Sequence, residues 1–436
     1  MCPFRRCIKF SLVYIVKMLK IIFKKCLKVT LWQLLWCSGV VIVALILWIS
    51  GDANVINTPE VVQYPVILWW TPNFPGSSGL THCSNNMKCH VFSDRKKVKN
   101  EVGAYLFYAS GINFNDLPLP RRPRHVIWGL FHEESPRNVE ELLHEQALNL
   151  FNFSSTFSRF SDVPFPLQYL LKFDDIITRK YFIATSEKNK FLENIAPIMY
   201  LQSDCATSTE RDKYVKELMK FIKIDSYGSC LKNRDMPARF QTDYLNNLDE
   251  DEILKFIAKY KFVIAIENGV CNDYVTEKFW RAIKVGSVPI YFGSPSIRDW
   301  FPNNRSAILL EAFPTPKILA KHIETLLNND SLYEVYLEHK TKEIVTNKKL
   351  LNELRIRPYQ LDSMKTVNEL ECYVCNKLYG KMGERSVAIV NKSHYDCPKP
   401  LSALTLNVNP GNSWVSSWEL AEVRVKEIYK TIIDEY

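Results

Sequence analysis

The first 28 residues contain no Asp or Glu, and Val29 to Ile49 contain no charged residue of either sign. No internal repeat or low-complexity segment is present. Surplus charge is also missing from most of the chain. The net charge is +9, but Arg5, Arg6, Lys9, Lys17, Lys20, Lys24, Lys25 and Lys28 account for eight of it, leaving +1 for everything that follows. A near-neutral body lacks the basic surface that nucleic-acid binding needs, which excludes that class of partner. With 436 residues, 47% hydrophobic and 24% charged, the chain is an ordinary folded protein that fits two domains plus extensions. Its ten Trp and 21 Tyr suit stacking on sugars or nucleotides, and equally an ordinary large core.

What is there first is a basic block running into an apolar run. As a helix, Val29 to Ile49 spans about 31 Å at about 1.5 Å per residue, the hydrocarbon thickness of a bilayer. Positive charge ahead of it keeps the N-terminus cytoplasmic and the body lumenal. The alternative, a cleaved signal peptide, has an apolar core of only about 7–15 residues and a shorter basic region. The expectation is a cytoplasmic tail over 1–28, a transmembrane signal anchor over 29–49 and a stem over 50–63, giving a single-pass type II protein of the Golgi or endoplasmic reticulum.

Cysteine usage agrees. Cys2, Cys7, Cys26 and Cys37 fall in the cytoplasmic or membrane part, while Cys83, Cys89, Cys205, Cys230, Cys271, Cys372, Cys375 and Cys397 face an oxidising lumen. Eight cysteines allow on the order of 100 pairings. Zinc at Cys372-x-x-Cys375 is the rival reading, with His394 and Cys397 as a weak second ligand pair, and disulfides are preferred. Asn152, Asn304, Asn329 and Asn391 begin sequons, candidate sites of lumenal glycosylation.

From Tyr64 onward, apolar runs alternate with helical patterns. Val66–Trp70, Ala104–Tyr108 and Val126–Phe131 read as strands of a first series, and Ile198–Leu201, Phe262–Ile266, Val288–Phe292 and Ile308–Leu310 of a second. Uninterrupted apolar runs indicate strands covered on both faces. Arg211 to Ile222, Glu250 to Lys259 and Lys317 to Leu327 repeat near period 3.6 and read as helices. This alternation predicts an α/β protein with two Rossmann-like domains, 64–195 and 196–367, facing across a central cleft, followed by a stapled tail over 368–436. Ligands bind beyond strand carboxyl ends in such sheets. Three polar clusters occupy that position: His132 to Pro136, Gln202 to Asp204, and Glu267 to Gly269.

The richest stretch is Tyr260 to Pro295, read as a buried strand, a polar loop, a helix beginning near Tyr274 and another strand closed by Gly293. Thr276, Glu277 and Lys278 fall in the first helical turn. Unpaired N–H groups and the helix dipole favour an anion there and disfavour a lysine, unless a bound diphosphate reverses the balance. A solvated lysine is the plain alternative. Asp249-x-Asp251 imitates a metal motif but opens a helix, where the dipole accounts for it.

The elements Glu267-Asn268, Asp273 to Lys278 and Gly286-Ser287-Val288-Pro289 together resemble the donor-binding signature of the α-1,3-fucosyltransferase family, glycosyltransferase family 10. The resemblance extends more weakly from about Tyr64 to the C-terminus. It implies a GT-B type fold, acceptor side first, and an inverting transfer from GDP-fucose with no obligatory metal or other cofactor. Position by position it implies Lys278 on the pyrophosphate, Glu277 on the ribose, Asn268 and Tyr274 lining the same pocket, and Arg211 as a second phosphate clamp. The family's base lies in a Glu-Ser-Pro element, here Glu134-Ser135-Pro136, with Glu133 as helper or decoy and His132 as a structural neighbour. The resemblance also implies that Cys83 and Cys89 pair with Cys372 and Cys375. Cys205 with Cys230 is a further candidate bridge, as is Cys271 with Cys397.

Around the base the chain reads FHEESPRN, then FNFSSTFSRFSDVPFP, with SHYDCP in the tail. These resemble the divergent animal branch of the family, associated with O-fucosylation of Ser/Thr in disulfide-rich modules of EMI type. The expected partners are therefore GDP-fucose and either such a folded module or a GlcNAc-bearing glycoprotein. Two rivals from other classes are a glycosidase using Glu133, Glu134 or Glu267 as a carboxylate pair, and a silent glycoprotein-binding protein.

Overall fold

The computed structural model describes Lys17, Lys20 and residues 64–434, except 77, 120–125, 171, 241–248, 358–362 and 381–387. The expected tail, anchor and stem over 1–63 lie outside the described residues, Lys17 and Lys20 apart. Among the described residues no helix is long and apolar enough to cross a membrane.

The apolar runs form strands where their composition dictates, and more polar segments add the remaining strands. In the first sheet these are β1 (Val66–Trp69), β2 (Gly79–His82), β3 (Lys88–Phe92), β4 (Ala104–Tyr108), β5 (Ile127–His132) and β6 (Phe153–Thr156). The second holds β7 (Ile198–Leu201), β8 (Ile224–Tyr227), β9 (Phe262–Ile266), β10 (Val288–Phe292) and β11 (Ile308–Leu309). Every residue of β1, β5, β9 and β10 is buried, as strands covered on both faces require.

The first sheet has the order β2-β3-β1-β4-β5-β6 and the second β11-β10-β9-β7-β8. All pairings are parallel except that of β2 with β3. Over their parallel strands both sheets have the doubly wound order that reverses beside the first strand, between β1 and β4 and between β7 and β9. Such a reversal opens a ligand crevice at the carboxyl ends of the strands. The α/β class expected from the runs is therefore present, twice over.

The tail is less irregular than its sequence suggests. Helix Ser363–Tyr379 buries Val367, Leu370, Val374, Cys375 and Leu378 in the core of the first sheet. Helix Ser413–Asp434 buries Val415, Ala421, Val425 and Ile432. Among the described residues four disulfides are formed, Cys83–Cys372, Cys89–Cys375, Cys205–Cys230 and Cys271–Cys397. Cys372 and Cys375 therefore have no thiolate left for zinc. Cys271–Cys397 ties the loop after β9 to the tail, and Asn272 extends that tie through bonds from its N–H (2.9 Å) and its amide (2.5 Å) to Asp396.

Candidate active site

Three consecutive residues at the carboxyl end of β9, Ile266, Glu267 and Asn268, gather most of the residues named above. Arg211 opens helix Arg211–Leu218 and is 1% exposed. Its Nη1 donates to the carbonyl of Ile266 at 3.3 Å and its Nη2 to that of Asp204 at 2.6 Å, bridging the end of β9 and the loop after β7. Its Nε is buried without a partner.

Glu267 is fully buried and accepts from both the N–H (2.8 Å) and the hydroxyl (2.7 Å) of Thr276. Those bonds fix Thr276 as N-cap, so the helix runs Glu277–Val285 and begins three residues later than the apolar pattern indicates. Gly293 is glycine for the same reason: a Cβ there would lie 2.6 Å from Cγ of Glu267. Lys278 Nζ reaches Thr276 Oγ1 (3.0 Å), Glu277 Oε1 (3.1 Å) and Glu267 Oε2 (3.6 Å). Burial pushes the Glu267 carboxyl up, against the pull of Lys278. Burial also opposes the Glu277 charge, but Lys278 and Arg281 outweigh it and hold that carboxyl down at about 2. The first turn therefore holds a lysine inside a balanced set of charges, ready for an anion at the helix start.

Asn268 faces the other sheet. Its Oδ1 accepts from the hydroxyl of Ser135 at 2.7 Å and from that of Tyr274 at 3.2 Å. Ser135 belongs to the Glu134-Ser135-Pro136 turn after β5, and Pro136 lies 3.1 Å from where a Cβ on Gly269 would stand. Glu134 is exposed while Glu133 is half-buried. His132 is fully buried with Ser110 and Tyr395 at its two ring nitrogens, which leaves it no route to a substrate.

Two residues that sequence reasoning missed complete the site. Tyr169, in the loop after β6, has its hydroxyl pushed well up by burial and by Glu277, Glu134, Glu267 and Glu133. One side chain thus lies in the field of the carboxylates of both sheets. Arg159, in the same loop, makes a forked pair with Asp273, with Nη2 at 2.6 Å and Nε at 2.9 Å. It also pairs with Asp299 at 2.9 Å and lies over the Trp300 ring at 4.4 Å. Asp273 is 1% exposed with φ 65° and further accepts from Ser296 and Trp300. The aspartate that opens the donor signature is therefore occupied in holding the other sheet's loop. Its motif position was visible in the sequence; its partner was not.

Of the sequons, Asn304, Asn329 and Asn391 are exposed. Asn152 instead accepts from Trp128 N–H (2.9 Å) and donates to Ala388 C=O (3.0 Å). Asp251 is taken up by Lys180 and Tyr181.

Two doubly wound sheets, meeting where a lysine-bearing helix start faces a turn with two glutamates, define an α/β protein that binds its ligand between strand carboxyl ends. Comparison with known proteins makes this specific. The family described as "Fucosyltransferase, N-terminal" matches residues 63–168, and "Glycosyltransferase family 10 (fucosyltransferase) C-term" matches 187–393. The chain belongs to glycosyltransferase family 10, the fucosyltransferases. Among its relatives, the GDP-fucose protein O-fucosyltransferase 3 of Gallus gallus is 39% identical over 384 residues, spanning 84% of this chain and 80% of that protein. The Homo sapiens protein of that name is 39% identical over 376 residues, spanning 83% and 78%. The alpha-(1,3)-fucosyltransferase B of Drosophila melanogaster is 39% identical over 391 residues, spanning 88% and 87%.

Proposed function

We propose that this protein is an inverting protein O-fucosyltransferase, which moves L-fucose from GDP-fucose in α linkage onto a Ser or Thr hydroxyl of a folded, disulfide-rich module of a secreted protein. The observation that carries this reading is the Ser135–Asn268 bond, which joins the Glu134 turn to the donor signature. Relatives named for protein O-fucosylation support the choice of acceptor.

In the proposed reaction the acceptor oxygen attacks the anomeric carbon as the bond from that carbon to the β-phosphate oxygen breaks. The hydroxyl proton passes to the Glu134 carboxylate, and GDP leaves carrying the bond's electron pair. Lys278 faces the diphosphate as that charge develops, the buried Arg211 adds its positive charge at the end of β9, Glu277 holds the ribose, and Asn268 and Tyr274 line the pocket. These cations do what a metal does elsewhere, so no metal is assigned to the site. The enzyme works as a GT-B glycosyltransferase in the lumen of the endoplasmic reticulum or Golgi, anchored by Val29 to Ile49.

A second reading, α-1,3 transfer to GlcNAc of a glycoprotein, shares this donor half and is favoured by the name of the Drosophila relative. A glycosidase is disfavoured, because Thr276 occupies both carboxylate oxygens of Glu267. The test offers labelled GDP-fucose to the purified full chain with an EMI-type module and a GlcNAc glycopeptide side by side, using Glu134→Gln as control. Label on the module, lost in the variant, supports the proposal. Label on the glycopeptide alone moves the protein to the second reading. GDP binding without any transfer makes it a silent glycoprotein-binding protein.

A further inference from the structure

Glu134 is exposed, and its place is set by what holds the residues on either side of it. Nε2 of Gln168, from the loop after β6, donates to the carbonyl of Glu133 at 2.9 Å. Ser135 donates to Asn268, and Pro136 is buried against Gly269. The last hold is Arg137. Its Nη2 donates to the Asp204 carboxylate and its Nη1 to the carbonyl of Ala206 at 3.3 Å. Its guanidinium lies over the Trp414 ring, 5.1 Å from the centre.

Asp204 and Ala206 belong to the loop after β7, which is itself fixed. Arg211 donates to the Asp204 carbonyl at 2.6 Å, and its Nη2 lies 3.6 Å from Oδ2, the oxygen that Arg137 also holds. Cys205 is bridged to Cys230, and Nε1 of Trp414 donates to the Ala206 carbonyl at 3.1 Å. The Glu134 turn of the first sheet therefore rests on a held loop of the second. Ser135 alone would leave that turn free to swing about one bond. Arg137, two residues further on, supplies a second fixed point, and its planar fork sets direction as well as distance. The Asp204 side chain is 43% exposed and that of Arg137 18%, so the ion pair itself adds little to stability.

We propose that Arg137 is a positioning residue of the transfer: by gripping Asp204 and Ala206 it seats the Glu134 turn on the donor sheet and places the Glu134 carboxylate for the acceptor hydroxyl. Arg137 acts through Glu134 and takes no part in the bond changes. The inference rests on Glu134 being the base. A catalytic group displaced by about 1 Å can lose about 10² in rate, so a contact of small weight in folding has a large weight in kcat.

The test is steady-state transfer by the purified full chain, on whichever of the two acceptors above takes label. It compares Arg137→Ala, Arg137→Lys, Glu134→Gln and the double variant Glu134→Gln with Arg137→Ala. Rates are expressed per GDP-binding site counted by calorimetric titration, which removes any loss of folded protein. Arg137→Ala is expected to lower kcat about ten- to hundredfold, with GDP affinity and melting temperature nearly unchanged. Arg137→Lys keeps the charge beside Asp204 without the fork, and recovers part of that loss. In the Glu134→Gln background, removing Arg137 is expected to cost less than about twofold, because no base is left to place. A merely structural role multiplies the two losses, and that overturns the proposal. Parental kcat in Arg137→Ala overturns it as well. Should Arg137→Ala fail to fold, Asp204→Ala removes the same ion pair from the other side and takes its place in the cycle. An active Glu134→Gln defeats the base assignment and the seat with it, whereas multiplied losses beside a crippled Glu134→Gln defeat the seat alone.

Discussion

The hydroxyl of Ser135 donates to Oδ1 of Asn268 at 2.7 Å, across 133 residues of sequence. Through this bond the first sheet's Glu134 turn is aligned on the end of β9. Ser135→Ala removes it while leaving Glu134 and the donor residues in place. The expected result is a fall in kcat of about tenfold with GDP affinity nearly unchanged, since a net hydrogen bond contributes about 1 kcal/mol. Steady-state kinetics beside GDP titration calorimetry separates the two quantities.

Lys278→Ala and Arg211→Ala are expected to lower kcat by about 10² to 10³, by analogy with other charge-stabilising donors. The two differ in stability. Arg211 is 1% exposed and bridges the loop after β7 to the end of β9, so its removal unpairs two main-chain carbonyls and lowers the melting temperature as well. Calorimetric melting of each variant with and without GDP checks this.

Arg159→Ala leaves Asp273 buried without its counter-charge, at a cost of about 3 kcal/mol. Arg159→Lys recovers only part of that, because a lysine cannot reproduce the fork on Asp273. Denaturant unfolding measures both, and a loss below about 1 kcal/mol for the alanine variant contradicts the clamp.

Two carboxylates make stability depend on pH with opposite signs. Glu277 is held at about 2 when folded, so it stabilises the fold above the ordinary carboxylate pKa and loses that contribution as pH falls towards 2. Glu133 is raised to about 7, so the folded state prefers it protonated and stability declines as pH rises from the ordinary carboxylate value through 7. Glu133→Gln is expected to flatten the neutral side of a melting-temperature profile and leave the acid side as it was.

Glycans are expected at Asn304, Asn329 and Asn391 and not at Asn152, whose amide bonds backbone groups of Trp128 and Ala388. Enzymatic deglycosylation of the chain expressed through a secretory pathway should remove up to three glycans. Asn152→Gln should destabilise the protein without changing that count.

Strands such as β4, β7, β9 and β10 were legible because burial on both faces leaves no polar residue to interrupt the run. β8 was not, since Ile224–Tyr227 carries Asp225 and Ser226 into the interior. Asp225 belongs there only because Ala196, Arg234 and Tyr260 donate to it. Tail helices hid their stripe among polar residues, although Val367, Leu370, Val374 and Leu378 do repeat at helical spacing. Four of the candidate donor residues, Asn268, Tyr274, Glu277 and Lys278, stand in one contiguous motif, and Arg211 stands apart from it. Arg159, Tyr169 and the surroundings of Glu133 could not, because what defines them is contact between segments far apart in the chain.

The tail also bears on the order in which the protein is made. Cys271 is separated from Cys397 by 126 residues, and Cys83 and Cys89 from their partners by 289 and 286. Tyr395 fills the space beneath His132, and Ala403 N–H closes on the carbonyl of Thr209. Translation thus delivers the whole donor signature well before the segment that ties it to the first sheet. A message ending short of residue 397 encodes every candidate donor residue and lacks one partner of the Cys271–Cys397 bridge. Each nascent chain thus has its ligand groups complete while its last ties are still to form.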